Sequence, residues 1–294
     1  MKTIVFLACS TTLPGAGERR SDAYEHDLTI AALTPAFKDH GLQLRVIDWE
    51  APIAQFAGAD LVLLGTAWNY QDHAAAFLRK LDLLEEGGVT LCNSTQIIRW
   101  NIRKTYLREL ADAGIRTIPT LWRETVTVKG ITEALGVFEC DRVVVKRQVG
   151  AGALGQELIA RSSLPSSDWN FGAPAMIQPF LPAIASEGEL SFVFIDGEFS
   201  HALRKRAKPG DYRIQSLYGG REEMWEPSAK DIAAARGVLE AVPVAPPLYA
   251  RIDMVRMEDD MLAVMEAELI EPYLYPEQGP NLGERLAKAI AKRI

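Results

Sequence analysis

Cysteine is scarce. The three residues Cys9, Cys92 and Cys140 stand far apart and form no CxxC pair, which argues against a disulfide framework and the usual zinc arrangements. They read as reduced thiols of a cytoplasmic protein. Histidine is equally thin: His26, His40, His73 and His201 show no metal-ligand spacing, and no Ser/His/Asp arrangement can be read. No apolar run approaches the roughly 20 residues that cross a bilayer. Excess positive charge is missing as well. The net charge is −7, so no global field draws the chain to nucleic acid or to an anionic membrane. There is no GxxxxGK[ST] and hence no P-loop, and no internal repeat. The apolar stretch Ile4–Cys9 falls short of the roughly 7–15 residues of a signal-peptide core. It is read as a buried first strand.

What is present suits a globular chain. The 294 residues are 48% apolar and 24% charged, enough for about two domains and too apolar for disorder. The first 95 residues alternate strand and helix signals. Ile4–Ala8, Leu42–Ile47, Asp60–Leu64 and Val89–Cys92 are expected strands; Leu28–His40 and Ala74–Leu84 are expected helices that stop at glycine. Such alternation implies a parallel α/β sheet. Beyond Asn93 the pattern changes to α+β. Thr95–Ala113 is expected to be largely helical. Strand runs follow at Arg142–Lys146, Ala175–Gln178, Leu190–Ile195, Leu248–Val255 and Met261–Glu266, with hairpins over Leu190–Ala202 and Arg251–Glu266. Helices are expected at Ser228–Ala241 and Asn281–Ile294, and a surface loop at Ser162–Ser167.

Local charge says more than the total. His201–Arg213 holds Arg204, Lys205, Arg206, Lys208 and Arg213 against the single acid Asp211, while Glu266–Glu277 holds four glutamates and no base. Opposite blocks in an acidic chain suit a polyanion bridged by a divalent cation; two solvated faces that pair with each other are the alternative. The acidic block is the sharper signal. Val264–Leu269 alternates apolar and acidic residues, so in a strand Glu266 and Glu268 share a face. Asp253 sits on the preceding strand. Three carboxylates on one sheet face repel unless a cation compensates, which marks Asp253, Glu266 and Glu268 as candidate metal ligands, against a wet face of an amphipathic strand.

Gly150–Gly155 spells GxGxxG after the strand Val143–Lys146, but Leu164-Pro165 follows too soon for a Rossmann crossover helix. It reads as a glycine loop between two strands, able to close over phosphates with backbone N–H groups. Lys104 opens a helix. Lys146 ends an apolar strand, where a lone cation implies an anionic neighbour. Trp68 and Tyr70 follow the third strand, where open α/β sheets place ligands, with simple packing the alternative. Glu18, Arg19, Arg20, Asp22 and Asp27 are read as solvated, with help in binding an amino-acid substrate the alternative, and His201 as structural, with a phosphate contact the alternative.

The order of helix lysine, strand lysine, glycine loop, Gln178-Pro179-Phe180-Leu181, a basic GDYR segment, then RxD and ExE on paired strands resembles the ATP-grasp superfamily, which includes glutathione synthetase and D-alanine–D-alanine ligase. Gly65-Thr66-Ala67-Trp68-Asn69-Tyr70, Trp100–Lys104, Ser200–Lys205 and Glu266–Pro272 are most similar to its cycloserine-forming group. The resemblance implies a three-part fold: an N-terminal α/β domain (1–95), a central lid (96–180) and a C-terminal domain (181–294). It implies Lys104 and Lys146 on the α- and β-phosphates of ATP, Gly150 and Gly152 in the closing loop, and Gln178–Leu181 at the adenine. Glu189, or else Glu187, would bind the ribose. Arg204, Lys205 and Arg213 would face the γ-phosphate, and Asp253, Glu266 and Glu268 would bind two Mg²⁺ ions, with Mn²⁺ able to substitute. Many relatives carry Asn at the place of Glu268, and Asn69 stands where Asp is expected. The implied activity is carboxylate–amine ligation through an acyl phosphate on a small amino-acid-like substrate, by intramolecular cyclisation in the cycloserine-forming group, in a cytoplasmic homodimer. A phosphotransferase and a non-catalytic nucleotide-binding protein are the alternatives.

Overall fold

The computed structural model describes residues 1–15, 17–150, 155–208, 213–214, 219–244 and 246–294. The chain begins with β1 (Lys2–Ala8), α1 (Ala23–Asp39), β2 (Leu42–Asp48), β3 (Leu61–Thr66), α2 (Ala74–Glu86) and β4 (Thr90–Cys92). These strands form a parallel sheet in the order β2-β1-β3-β4. The continuous apolar run of β1 is explained by burial on both sides. Ile4 and Phe6 pack with Leu33 and Phe37 of α1, while Val5 and Leu7 pack with Phe77, Leu81 and Leu84 of α2. Gly65 lies against the Phe6 ring, where an added Cβ would come within 2.0 Å of it.

Thr95–Ala113 is largely helical, as expected, but divided into two short helices, α3 (Thr95–Asn101) and α4 (Tyr106–Asp112). The break has a physical reason. The buried Asn101 side chain is turned to the backbone of a distant strand, donating to the Ala267 carbonyl (2.8 Å) and accepting from the Leu269 N–H (3.1 Å). Lys104 therefore sits in a turn, its own N–H donating to the Gln148 carbonyl at 2.7 Å. The first helix also begins earlier than Leu28.

A second sheet follows: β5 (Leu121–Arg123), α5 (Val128–Val137), β6 (Arg142–Arg147), β7 (Glu157–Ala160) and β8 (Ala175–Pro179), in the antiparallel order β5-β8-β6-β7. Ile131, Ala134 and Leu135 of α5 cover Val143, Val145 and Ile177. The glycine loop joins antiparallel β6 and β7, as read from the sequence; residues 151–154, with Gly152, lie outside the described residues.

The third sheet contains α6 (Ala183–Ser186), β9 (Glu189–Ile195), β10 (Glu198–Arg206), β11 (Arg221–Met224), α7 (Ala229–Glu240), β12 (Tyr249–Arg256) and β13 (Leu262–Glu268), ordered β11-β10-β9-β12-β13. Its strands alternate between two faces, apart from bulges in the β9–β10 and β12–β13 pairs. Leu190, Phe192, Phe194, Ile252 and Met254 pack under α7, with Val238 and Leu239. The other face carries Val193, Ile195 and Leu203 toward the first sheet and a polar row at its open end. The last helix, α8 (Leu282–Ala291), returns to α1; Gly283 permits the approach, since a Cβ there would lie 2.5 Å from the Ala32 carbonyl oxygen. Asn93 ties the first sheet to the third, donating to Tyr249 O (2.9 Å) and Leu269 O (2.7 Å) and accepting from Leu248 N. Among the described residues no helix is long and apolar enough to cross a membrane.

Candidate active site

One cleft opens between the second and third sheets and reaches the ends of β1 and β3. It encloses about 1700 Å³ with its open mouth included. Lys104, Lys146, Gly150, Gln178, Pro179, Phe180, Leu181, Glu189, Lys205, Arg213, Asp253, Glu266 and Glu268 all line it. The structure thus brings together residues spread over 165 positions of sequence.

The cleft floor is the polar row of the third sheet. Lys205 faces Glu189 across the β9–β10 pair, and Asp253 faces Ser191 across β9–β12 and Glu266 across β12–β13. A bulge between Asp253 and Met254 leaves Met265 without a partner in β13. It turns Met265 and Glu266 both into the cleft while Val264 packs into the α7 core, as bulges beside functional sites commonly do.

Every acid in this row is neutralised from within the protein. Lys205 Nζ donates to Glu189 Oε1 (2.9 Å) and lies 3.4 Å from Asp253. Arg251 donates to Asp253 (Nη2 to Oδ2, 2.9 Å) and to Glu268, and Ser191 Oγ donates to Asp253 at 2.6 Å. Lys104 Nζ donates to Glu266. Among the described residues no three His, Cys, Asp or Glu side chains converge closely enough to hold a metal while these cations stand between them. The electrostatics follow the pairing. Burial works against the charge of Asp253, yet Arg251 and Lys205 outweigh it and hold this carboxyl well below the usual range. Burial pushes Glu189 up to about 7, with Lys205 opposing, and Glu268 up to about 7, with Arg251 opposing. Burial lowers Lys146, with Glu266 pulling the other way.

The basic pair Arg204/Lys205 is divided by strand alternation. Lys205 enters the cleft, whereas Arg204 pairs in register with Leu190, points to the α7 side and lies 5.8 Å from the Trp225 ring centroid. This corrects the placement of Arg204 beside a γ-phosphate. Glu187 also turns away, toward Arg256 (3.1 Å), which leaves Glu189 as the acid in the cleft. His201 is buried, its Nε2 3.0 Å from the Leu274 carbonyl, and burial lowers it to about 4, in keeping with a structural role. Tyr70 is buried against Phe77 and Trp68 lines the cleft.

Arg20 and Asp22, for which the sequence left substrate binding as the alternative to solvation, line the cleft. So do Glu25, Gln71, Arg251, Glu271, Tyr273 and Tyr275, which were not marked as site residues. Arg20 donates to Asp22 (2.9 Å) and lies over the Trp68 ring at 5.0 Å. Of these, Arg251 alone had a legible signal, as the first residue of RxD.

Residues 4–93 match the family model described as the N-terminal domain of D-cycloserine synthetase DcsG. Over nearly the whole chain the sequence is similar to the cycloserine biosynthesis protein DcsG of Streptomyces lavendulae: 26% identical over 289 residues, 91% of this chain and 94% of that protein. The crystal structure of D-cycloserine synthetase DcsG superposes with a TM-score of 0.84 at 24% identity, over 99% of both chains. The ATP-grasp ligase PsnB, complexed with a minimal precursor, superposes with a TM-score of 0.68 at 17% identity, over 100% of this chain and 99% of that one.

Proposed function

We propose that this chain, an ATP-grasp ligase by fold and by kinship, joins a carboxylate to an amine on a small amino-acid-like substrate, using ATP and Mg²⁺ and passing through an acyl phosphate. One observation carries the proposal. The floor of the cleft holds four acids, Glu189, Asp253, Glu266 and Glu268, each paired with a cation from within the protein, and Lys104 and Lys205 among those cations are ones that ATP would claim. A triphosphate entering the cleft supplies anions for Lys104, Lys146, Lys205 and Arg213. Its divalent counter-ion supplies charge for the acids those cations release. The donor set fits Mg²⁺, which prefers carboxylate oxygen and completes its shell with phosphate. Asp253, Glu266 and Glu268 would hold it, and when bound it neutralises charge on the transferred phosphoryl group.

The chemistry follows from charge and position. A carboxylate is a poor electrophile because oxide is a poor leaving group. Its oxygen attacks the γ-phosphorus, the bond from that phosphorus to the β-bridging oxygen breaks, and ADP leaves. Lys205 and Arg213 stand where the transferred group carries its charge, and Lys104 and Lys146 where the α- and β-phosphates lie. The amine then attacks the acyl carbon, phosphate departs, and the nitrogen loses a proton. Gln178–Leu181 borders the adenine and Glu189 the ribose. Gly150, where the glycine loop begins, borders the phosphates.

The relative DcsG is named for cycloserine biosynthesis, so the proposal extends to intramolecular closure, in which carboxylate and amine belong to one molecule and proximity is built in. It also includes two metal ions, Mn²⁺ as a substitute, a division into 1–95, 96–180 and 181–294, and a cytoplasmic homodimer. The test is a panel of amino acids, dipeptides and ureido amino acids assayed for stimulated ADP release, followed by product mass. Stoichiometric ADP with loss of one water from the substrate supports cyclisation. A stable phosphorylated product without amide formation selects a phosphotransferase instead. ATP binding without turnover across the panel selects a non-catalytic module.

A further inference from the structure

Among the described residues β13 ends the third sheet, with β12 as its partner strand. Its outer edge is nevertheless closed. Val264 N–H donates to the Arg116 carbonyl at 2.9 Å. Beyond the bulge, side chains take over from backbone. Ala267 N–H donates to the Tyr106 hydroxyl oxygen (2.8 Å), Asn101 Nδ2 donates to the Ala267 carbonyl (2.8 Å), and Leu269 N–H donates to Asn101 Oδ1 (3.1 Å). Asn101 and Tyr106 are both buried. These bonds fall on three successive peptide groups, 266–267, 267–268 and 268–269. They fix the backbone on both sides of Glu268 and on the C-terminal side of Glu266. An amide suits the task because it carries a donor and an acceptor together, as the peptide of a neighbouring strand would.

Covering a strand edge is by itself a structural service. What sets this cover apart is the residue it carries. Asn101 ends α3 and Tyr106 opens α4, and the turn between them brings Lys104 onto Glu266. The same turn is fastened to the second sheet just after β6. Arg103 Nε donates to Gln148 Oε1 at 2.7 Å, and Lys104 N–H donates to the Gln148 carbonyl at 2.7 Å. Residues 101–106 therefore join both walls of the cleft and set the spacing of Lys104 from the two glutamates. Neither Asn101 nor Tyr106 is among the residues that line the cleft.

We infer that Asn101, aided by Tyr106, is a positioning residue for the metal site: by fixing the backbone that carries Glu266 and Glu268, it holds their carboxylates ready for the divalent ion that enters with ATP. The inference rests on the ligase reading and adds to it two residues that act from outside the cleft. Supports behind metal ligands are typically worth about 10–100-fold in metal affinity.

The experiment titrates a non-hydrolysable ATP analogue calorimetrically into the full chain, once with saturating Mg²⁺ and once with EDTA, and reads the ratio of the two affinities. A partly unfolded preparation lowers the stoichiometry and leaves this ratio alone, so a merely structural residue would not move it. Wild type should show a ratio of about ten or more. Asn101→Ala should cut it about threefold or more. Tyr106→Phe, which keeps the ring in the core and removes only the hydroxyl, should cut it about twofold. A folded Asn101→Ala with the wild-type ratio overturns the inference; if that variant does not fold, Tyr106→Phe with the wild-type ratio overturns it. A wild-type chain that does not bind the analogue, or binds it with a ratio near one, overturns the ligase reading itself, and the inference falls with it.

Discussion

Removing Lys205 should destabilise the protein in a way that grows with pH. The Lys205 side chain is 5% exposed and serves two buried acids, Glu189 at 2.9 Å and Asp253 at 3.4 Å. Breaking a buried pair by deleting one partner typically costs about 3–5 kcal/mol. Arg251 remains on Asp253 in Lys205→Met, so the lower end applies, about 3 kcal/mol. For a chain of this size that corresponds to a fall of about 6 °C in melting temperature. The pH dependence comes from Glu189. Its folded value, about 7, lies above the ordinary carboxylate value, so the folded state retains a proton that the unfolded chain has released. Stability from this group is therefore lost as pH rises from about 4.5 to 7. Without Lys205 the opposing attraction disappears, the folded value climbs further, and the loss continues to higher pH at about 1.4 kcal/mol per unit. Melting curves of wild type and Lys205→Met at pH 5.5 and 8.5 should differ little at the first and most at the second. Equal melting temperatures at both, or a gap that narrows with pH, would refute the assignment of Lys205 as the counter-ion of Glu189.

Arg204 and Lys146 offer a contrast in steady-state ATP kinetics. Lys146→Ala should raise the KM for ATP about tenfold or more, the loss of a charged phosphate contact, while Arg204→Ala, which points away from the cleft, should stay within about threefold. A tenfold loss in Arg204→Ala with an unchanged melting temperature would return that residue to the γ-phosphate. The product of the substrate panel completes the set.

How far the sequence foretold this site depends on where each signal lives. Alternation in Val264–Leu269 placed Glu266 and Glu268 on one face, and the structure has them so. The same logic applied to β10 would have separated Arg204 from Lys205; reading them as one charge run obscured it. The bulge at Met265 has no local sequence mark. The break after Asn101 depends on two backbone groups of a strand some 166 residues away, so helical periodicity alone predicts a continuous helix there. Glu271, Gln71 and Arg20 line one cleft because three separate segments of chain converge on it, a tertiary fact invisible in composition or spacing. The parallel first sheet was legible because burial on both faces leaves a continuous apolar run.

The central claim is that Asp253, Glu266 and Glu268 exchange their internal cations for a divalent ion delivered with ATP. The most direct measurement is calorimetric titration of a non-hydrolysable ATP analogue into wild type and Glu266→Gln, each with and without Mg²⁺. The account predicts that Mg²⁺ tightens binding to wild type about tenfold or more, a gain of at least about 1.4 kcal/mol, and that Glu266→Gln loses most of this gain. Nucleotide affinity indifferent to Mg²⁺, or a metal effect undiminished in Glu266→Gln, would contradict it.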